Sequence, residues 1–125
     1  MADHLSMYAE MDIALDTFPY NGTTTTCEAL WMGTPVVTLS GNRHAARVGA
    51  SLLGRIGLDD CIATDIADYT EIAVKLATDQ SRLVSLRKCL RDRLSSSYLG
   101  DPQTITSDIE LAYRDMIQET CSSGN

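Results

Sequence analysis

Tyr20-Asn21-Gly22-Thr23-Thr24-Thr25-Thr26-Cys27-Glu28 decides how this chain is read. Four consecutive hydroxyl-bearing, β-branched residues follow a turn signal, Asn21-Gly22. They stand between two apolar runs, Ile13-Ala14-Leu15 and Ala29-Leu30-Trp31-Met32. The first run belongs to residues 11–16, short and nearly continuous in its apolar content, as in a strand with both sheet faces covered. The second run completes a helix of roughly residues 24–32, with one threonine expected at its N-cap. Gly33 then falls where a C′ glycine belongs and Pro35 follows, so the helix stops there. The stretch is a handover from strand to helix, the unit from which parallel α/β sheets are assembled.

Working outward, residues 35–39 form the next strand, followed by the loop Ser40-Gly41-Asn42. Val48, Leu52, Leu53 and Ile56 recur at helical spacing over residues 44–56, and Gly57 closes that helix. A short strand is expected near residues 61–63 and a helix over 66–78, carrying Tyr69, Ile72, Val74 and Leu76. Asp79 caps a helix of residues 80–96 whose apolar stripe is Leu83, Leu86, Leu90 and Leu94. Arg82, Arg87, Lys88, Arg91 and Arg93 are expected on its solvated faces. A carboxyl-terminal helix is expected over 104–119, with Ile105, Ile109, Ala112, Tyr113 and Met116. A helical turn over 4–10 places Leu5, Tyr8 and Ala9 on one side, and the tail from Cys121 is expected to fray. The fold expected is α/β: a Rossmann-like parallel sheet with flanking helices. So few strands make a thin sheet, and residues 1–125 therefore read as part of a larger lobe.

Composition narrows the function. The chain has 125 residues, 44% of them hydrophobic, enough for a core. Its formal net charge of −7 leaves no basic stripe to displace counterions from a phosphate backbone, which argues against nucleic acid as a partner. No apolar run approaches the ~20 residues a membrane helix needs. With no basic, apolar leader at Met1-Ala2-Asp3-His4, the expectation is a cytoplasmic protein without a membrane partner. Cys27, Cys61, Cys89 and Cys121 show no metal-ligand spacing and read as small buried hydrophobes in a reducing compartment.

In an open parallel sheet, ligands bind at the carboxyl ends of the strands. The first N–H groups of a helix lack internal partners and carry partial positive charge, so they favour an anion. Gly22 permits close backbone approach, and Thr23, Thr24 and Thr25 add hydroxyl donors. The set suits a phosphate without any lysine in the loop. Glu28, one turn further along, is placed to accept hydrogen bonds from a ribose diol. On the residues alone, both a phosphate site and a plain helix cap fit. Asp16 reads as a brace for the loop, and Phe18, Tyr20 and Trp31 as packing residues, Trp31 in the core. His4 reads as structural. His44, after the second strand, is a possible donor contact, and Arg43 an ordinary surface charge.

The run DIALDTFPYNGTTTTCEALWMGTPVVTLSGNRHAARVGASLL, Asp12 to Leu53, resembles the carboxyl-terminal part of the protein O-glycosyltransferase family. That family includes the O-GlcNAc transferases and the SPINDLY-type O-fucosyltransferases. The resemblance continues more loosely through residues 69–117, and the block D-x-x-L-D-x-x-x-x-x-G-x-T-T followed by L-W-x-G-T-P is its specific part. It implies two Rossmann-like lobes in the GT-B arrangement, usually after tetratricopeptide repeats, with donor nucleotide held by the carboxyl-terminal lobe. This chain would be the latter half of that lobe.

By the same resemblance, Thr24 and Thr25 contact donor phosphate and Glu28 holds the ribose. Thr23 falls where animal O-GlcNAc transferases carry a histidine near the diphosphate, and the four-threonine form is closer to SPINDLY-type and bacterial members. UDP-GlcNAc and GDP-fucose both stay open as donors. The donor-contacting lysine and the catalytic histidine of the family would lie upstream, so no catalytic residue is assigned within this chain. The implied reaction is inverting, metal-independent transfer to Ser or Thr hydroxyls of an acceptor protein, with no cofactor beyond the donor substrate. The isolated chain is expected to be inactive and to self-associate. The alternatives are a piece of another GT-B nucleotide-sugar enzyme and a non-catalytic interaction module.

Overall fold

The computed structural model describes residues 2–122. Three parallel strands form one sheet in the order β1-β2-β3: β1 (Ala14–Leu15), β2 (Val36–Leu39) and β3 (Ile62–Ala63). Around them run α1 (Ala2–Ser6), α2 (Thr24–Trp31), α3 (Val48–Arg55), α4 (Ile66–Thr78), α5 (Gln80–Ser95) and α6 (Pro102–Ser122). The ladder sets Ala14 opposite Val36 and Thr38 opposite Ile62. Only the central strand is buried along nearly its full length; Val36, Val37 and Thr38 are 0–2% exposed. The chain is α/β with helices flanking a parallel sheet, as its residue pattern indicates.

The core lies between the sheet and α2, α3, α4 and α5. Leu30, Val37, Leu53 and Leu90 are fully buried there. Leu83, Leu86, Leu90 and Leu94 all face inward from α5, and each buried leucine contributes about 1.5–3 kcal/mol. Gly33 ends α2 at φ +85°, and a Cβ there would stand 2.7 Å from the Arg87 carbonyl oxygen. That position therefore needs glycine twice over, for its backbone angle and for the close passage of α5.

Several expectations are corrected. The first strand shrinks from residues 11–16 to two residues, and Leu15 is 59% exposed. Within this chain β1 has a neighbour on one side only, so the ladder ends early. The 44–56 helix divides into a 3-10 turn, His44–Ala46, and α3. The 4–10 turn divides likewise, into α1 and a 3-10 turn, Met7–Glu10, with Tyr8 buried and Ala9 exposed.

The last helix begins at Pro102 rather than 104, because Asp101 accepts the Gln103 and Thr104 N–H groups, and it runs to Ser122. Cys121 is thus helical rather than frayed, and the expectation for residues 123–125 lies outside the described residues. Trp31 is not in the core: it is 44% exposed beneath the Arg91 guanidinium, 5.2 Å from its ring centroid. Of the α5 arginines, Arg82 and Arg87 are half-buried, while Arg91 stays exposed as expected but is hydrogen-bonded. Arg87 donates to the Tyr8 and Met11 carbonyls, Arg91 to the Trp31 carbonyl, and Arg82 pairs with Asp60. All four cysteines are free thiols; Cys61 is buried, with its pKa pushed up to about 11, first by burial and then by Asp60, while Cys121 is exposed.

Candidate functional site

The site is built where β1 ends. Asp16, the next residue, is buried, and its two carboxylate oxygens are both used. Oδ1 accepts the Gly22 N–H at 2.7 Å, and Oδ2 accepts the Thr38 hydroxyl of β2 at 2.7 Å. The Asp16 carbonyl accepts the Tyr69 hydroxyl of α4 at 2.8 Å. Asn21 is equally buried. Its Nδ2 donates to the Thr17 carbonyl at 2.9 Å, and its Oδ1 accepts the Gly49 N–H of α3 at 3.2 Å. Burial of such groups costs free energy unless they are hydrogen-bonded, and here both are. The two residues pin both ends of the loop between β1 and α2, and so fix where α2 starts.

The threonines divide their work. Thr26 is buried, and its hydroxyl donates back to the Gly22 carbonyl at 3.0 Å. Thr23 stands at the N-cap position without a side-chain cap bond. A threonine therefore stands at the N-cap as expected, but its hydroxyl does not bond the helix N–H groups. Thr23, Thr24 and Thr25 are exposed, and their hydroxyls make no hydrogen bond among the described residues. The first bond of the helix start runs from the Cys27 N–H to the Thr23 carbonyl, so the N–H groups of Thr24, Thr25 and Thr26 have no acceptor among the described residues. A cleft of about 130 Å³ opens here, lined by Leu15, Asp16, Thr17, Gly22, Thr25 and Thr26 among others. A Cβ on Gly22 would collide with the Thr25 hydroxyl. Tyr8, Ala14, Ala29 and Val36 complete a largely apolar wall, and the space is smaller than the ~300 Å³ at which sites for whole small-molecule ligands begin.

Glu28 lies one turn along α2, half-buried. Its Oε2 stands 3.1 Å from His4 Nε2 and accepts the Tyr8 hydroxyl at 3.4 Å, while Oε1 has no partner among the described residues. The His4 and Tyr8 rings meet edge to face, 5.8 Å apart. Burial, and then the Glu28 charge, push the Tyr8 phenol and the Cys27 thiol above their ordinary values. Sequence reasoning set His4 aside as structural and gave Tyr8 no role at the site. Nothing local marks either one, because they reach Glu28 across 24 and 20 residues.

The structure gathers Gly22, Thr23, Thr24, Thr25 and Glu28 on one helix start. His44 is not brought to them. It is exposed on the turn after β2, its side chain makes no hydrogen bond among the described residues, and it lines neither cleft. Its neighbour Arg43 lines a second, larger cleft of about 750 Å³ at the carboxyl ends of β2 and β3, with Phe18, Pro19, Leu39, Asn42 and Ile66 among its other residues. Phe18 packs edge-on against Tyr69 at 5.5 Å, and Tyr20 is 72% exposed. Among the described residues, no group of three or more His, Cys, Asp or Glu converges as metal ligands. No described helix is long and apolar enough to cross a membrane.

The model of Glycosyl transferase family 41 matches residues 2–109. The chain belongs to that family. It is 49% identical over 119 residues to a Solanum lycopersicum protein named probable UDP-N-acetylglucosamine–peptide N-acetylglucosaminyltransferase SPINDLY. That match covers 95% of this chain and 13% of the tomato protein. It is 35% identical over 108 residues to the UDP-N-acetylglucosamine–peptide N-acetylglucosaminyltransferase of Caenorhabditis elegans, covering 86% of this chain and 9% of that one. Among solved structures, a mutant O-GlcNAc transferase of Thermobaculum terrenum superposes over 100% of this chain and 24% of its own, with a TM-score of 0.92 and 42% identity. The chain thus spans about an eighth of the tomato relative, and corresponds to the carboxyl-terminal part of the family 41 catalytic region. The family reading made from Asp12 to Leu53 holds, and the other GT-B families are set aside.

Proposed function

We propose that this family 41 region holds the nucleoside diphosphate of a sugar donor. The diphosphate lies against the α2 start, on the N–H groups and hydroxyls of Thr23, Thr24 and Thr25, with close approach at Gly22, and the ribose diol lies on Glu28. One observation carries the reading: several unpaired donors, backbone and hydroxyl, crowd one helix start beside a strand's carboxyl end. Such a set is worth most to an anion, since unsatisfied helical N–H groups add their dipoles.

In the full-length protein the reaction is transfer of the sugar to a Ser or Thr hydroxyl of an acceptor protein, with inversion. The donor is UDP-GlcNAc, in keeping with the relatives' names, or GDP-fucose. As the sugar–oxygen bond breaks, negative charge grows on the leaving diphosphate. Preorganised N–H and O–H donors stabilise that charge without reorganising, the work a metal ion does elsewhere. Acceptor positioning and proton removal fall to other parts of the polypeptide, so this chain alone is inactive on this reading.

Calorimetric titration with UDP, GDP and their sugar conjugates, with magnesium and with chelator, tests the proposal. Binding of one diphosphate, indifferent to chelator and lost in Thr24→Ala/Thr25→Ala, is expected and identifies the base. A folded chain that binds neither diphosphate overturns it.

A further inference from the structure

We infer that Asp16 is a positioning residue for the donor diphosphate, acting through Gly22 rather than by touching the ligand. The inference rests on the donor-site reading above. Asp16 is a buried carboxylate that lines the cleft beside the α2 start. A carboxylate repels the diphosphate, which disfavours a direct contact. Its geometry has a use. Oδ1 takes the Gly22 N–H, which removes that amide from the donors open to a ligand and leaves the α2 amides and the threonine hydroxyls. Oδ2 takes the Thr38 hydroxyl from the middle of the central strand.

The clamp has no slack. A Cβ on Gly49 would collide with both Thr38 Oγ1 and Asp16 Oδ2, so α3 presses on the carboxylate from the third side. The Tyr69 hydroxyl holds the Asp16 carbonyl from α4. The carboxylate is thus referenced to β2, α3 and α4, and hands that reference to Gly22, one residue before the threonines. Displacing aligned groups by about 1 Å is enough to cost a hundredfold in reaction rate.

Geometry and charge separate in two variants. Asp16→Asn keeps an acceptor for Gly22 and offers Nδ2 to Thr38, but loses the charge. Asp16→Glu keeps the charge and moves both oxygens by a methylene. Calorimetry with the preferred nucleoside diphosphate is expected to give Asp16→Asn an affinity within about threefold of the parent, and Asp16→Glu and Asp16→Ala a loss of about tenfold or more. Thr38→Val lowers the melting temperature yet keeps affinity within about threefold, because the Gly22 bond survives. Amide exchange by NMR is expected to rise at Gly22 in Asp16→Glu and Asp16→Ala only.

The inference is overturned if Asp16→Glu binds like the parent, if Asp16→Asn loses as much as Asp16→Glu, or if Thr38→Val weakens binding as much as Asp16→Ala. Should Asp16→Ala fail to fold, the Asn and Glu pair decides. If the parent binds no diphosphate, the donor-site reading itself fails. The inference falls with that reading, and Gly22 exchange then reports only whether Asp16 holds the loop.

Discussion

Glu28 shares Oε2 between Tyr8 and His4, and its Oε1 has no partner among the described residues. An arrangement with one oxygen anchored and one open suits a diol better than a phosphate, which the carboxylate would repel. Glu28→Ala is therefore expected to weaken nucleoside diphosphate binding about tenfold, the worth of one charge-assisted hydrogen bond, and to leave inorganic pyrophosphate binding unchanged. Parallel calorimetric titrations with the two ligands check it; an equal loss for both would move Glu28 off the ribose. The residues of this prediction were unequally legible. Gly22, the threonines and Glu28 are contiguous, and their meaning follows from local turn and helix chemistry. Tyr8 acts on Glu28, and Thr38 and Tyr69 act on Asp16, across 20, 22 and 53 residues, and no spacing rule reaches so far. Trp31 misled for a different reason: its apolar ring suggests core, while Arg91 above it makes a surface position stable.

At the scale of elements, the helices with strong local signals stand where the sequence places them. Asp65 and Asp79 cap α4 and α5, and both begin as expected. The strands and α3 were less legible, because tertiary context decides them. β1 shortens for want of a second neighbour, and the Asn21 side chain takes the Gly49 N–H in the first turn of α3.

Helix α6 depends on its cap more than the others, since every side chain along it is exposed except the half-buried Ile105. Asp101 starts it, and hydrogen bonds from Thr104, then Gln103, hold its carboxyl below the usual value of 3.8. A folded-state pKa depressed in this way contributes stability above the unfolded pKa and loses it as pH falls through the folded one. The helicity of residues 102–122 is thus expected to hold down to about pH 4 and to fall below it. Asp101→Asn, which caps without titrating, is expected to remove most of that acid-side loss. Circular dichroism of parent and variant from pH 6 to 2 is the measurement. Equal acid loss in both proteins would mean that the Asp101 cap does not carry the effect.

At the scale of the molecule, apolar surface is left open on two sides. On α6, Ile109, Tyr113, Met116 and Ile117 are 49–63% exposed and recur at helical spacing as one stripe; on the sheet, the outer edge of β1 carries Leu15 at 59%. Both are ordinarily covered, the stripe by another helix or sheet and the edge by another strand. Isolated, the chain is expected to associate with itself, against the repulsion of its −7 charge. Sedimentation velocity should therefore show a larger species as protein concentration rises, and more of it at 0.5 M salt than at 0.05 M, where the Debye length is several times the ~3–5 Å of the salted solution. Ile109→Glu/Met116→Glu places two charges on the stripe. Because α6 packs against little else, the change should leave the melting transition of the core nearly unmoved, within about 0.5 kcal/mol. Loss of the larger species in that variant assigns the contact to α6. Association that persists in it moves the contact to the β1 edge, where Leu15→Lys would then abolish it. A chain that stays monomeric at high concentration and high salt contradicts the expectation at both surfaces.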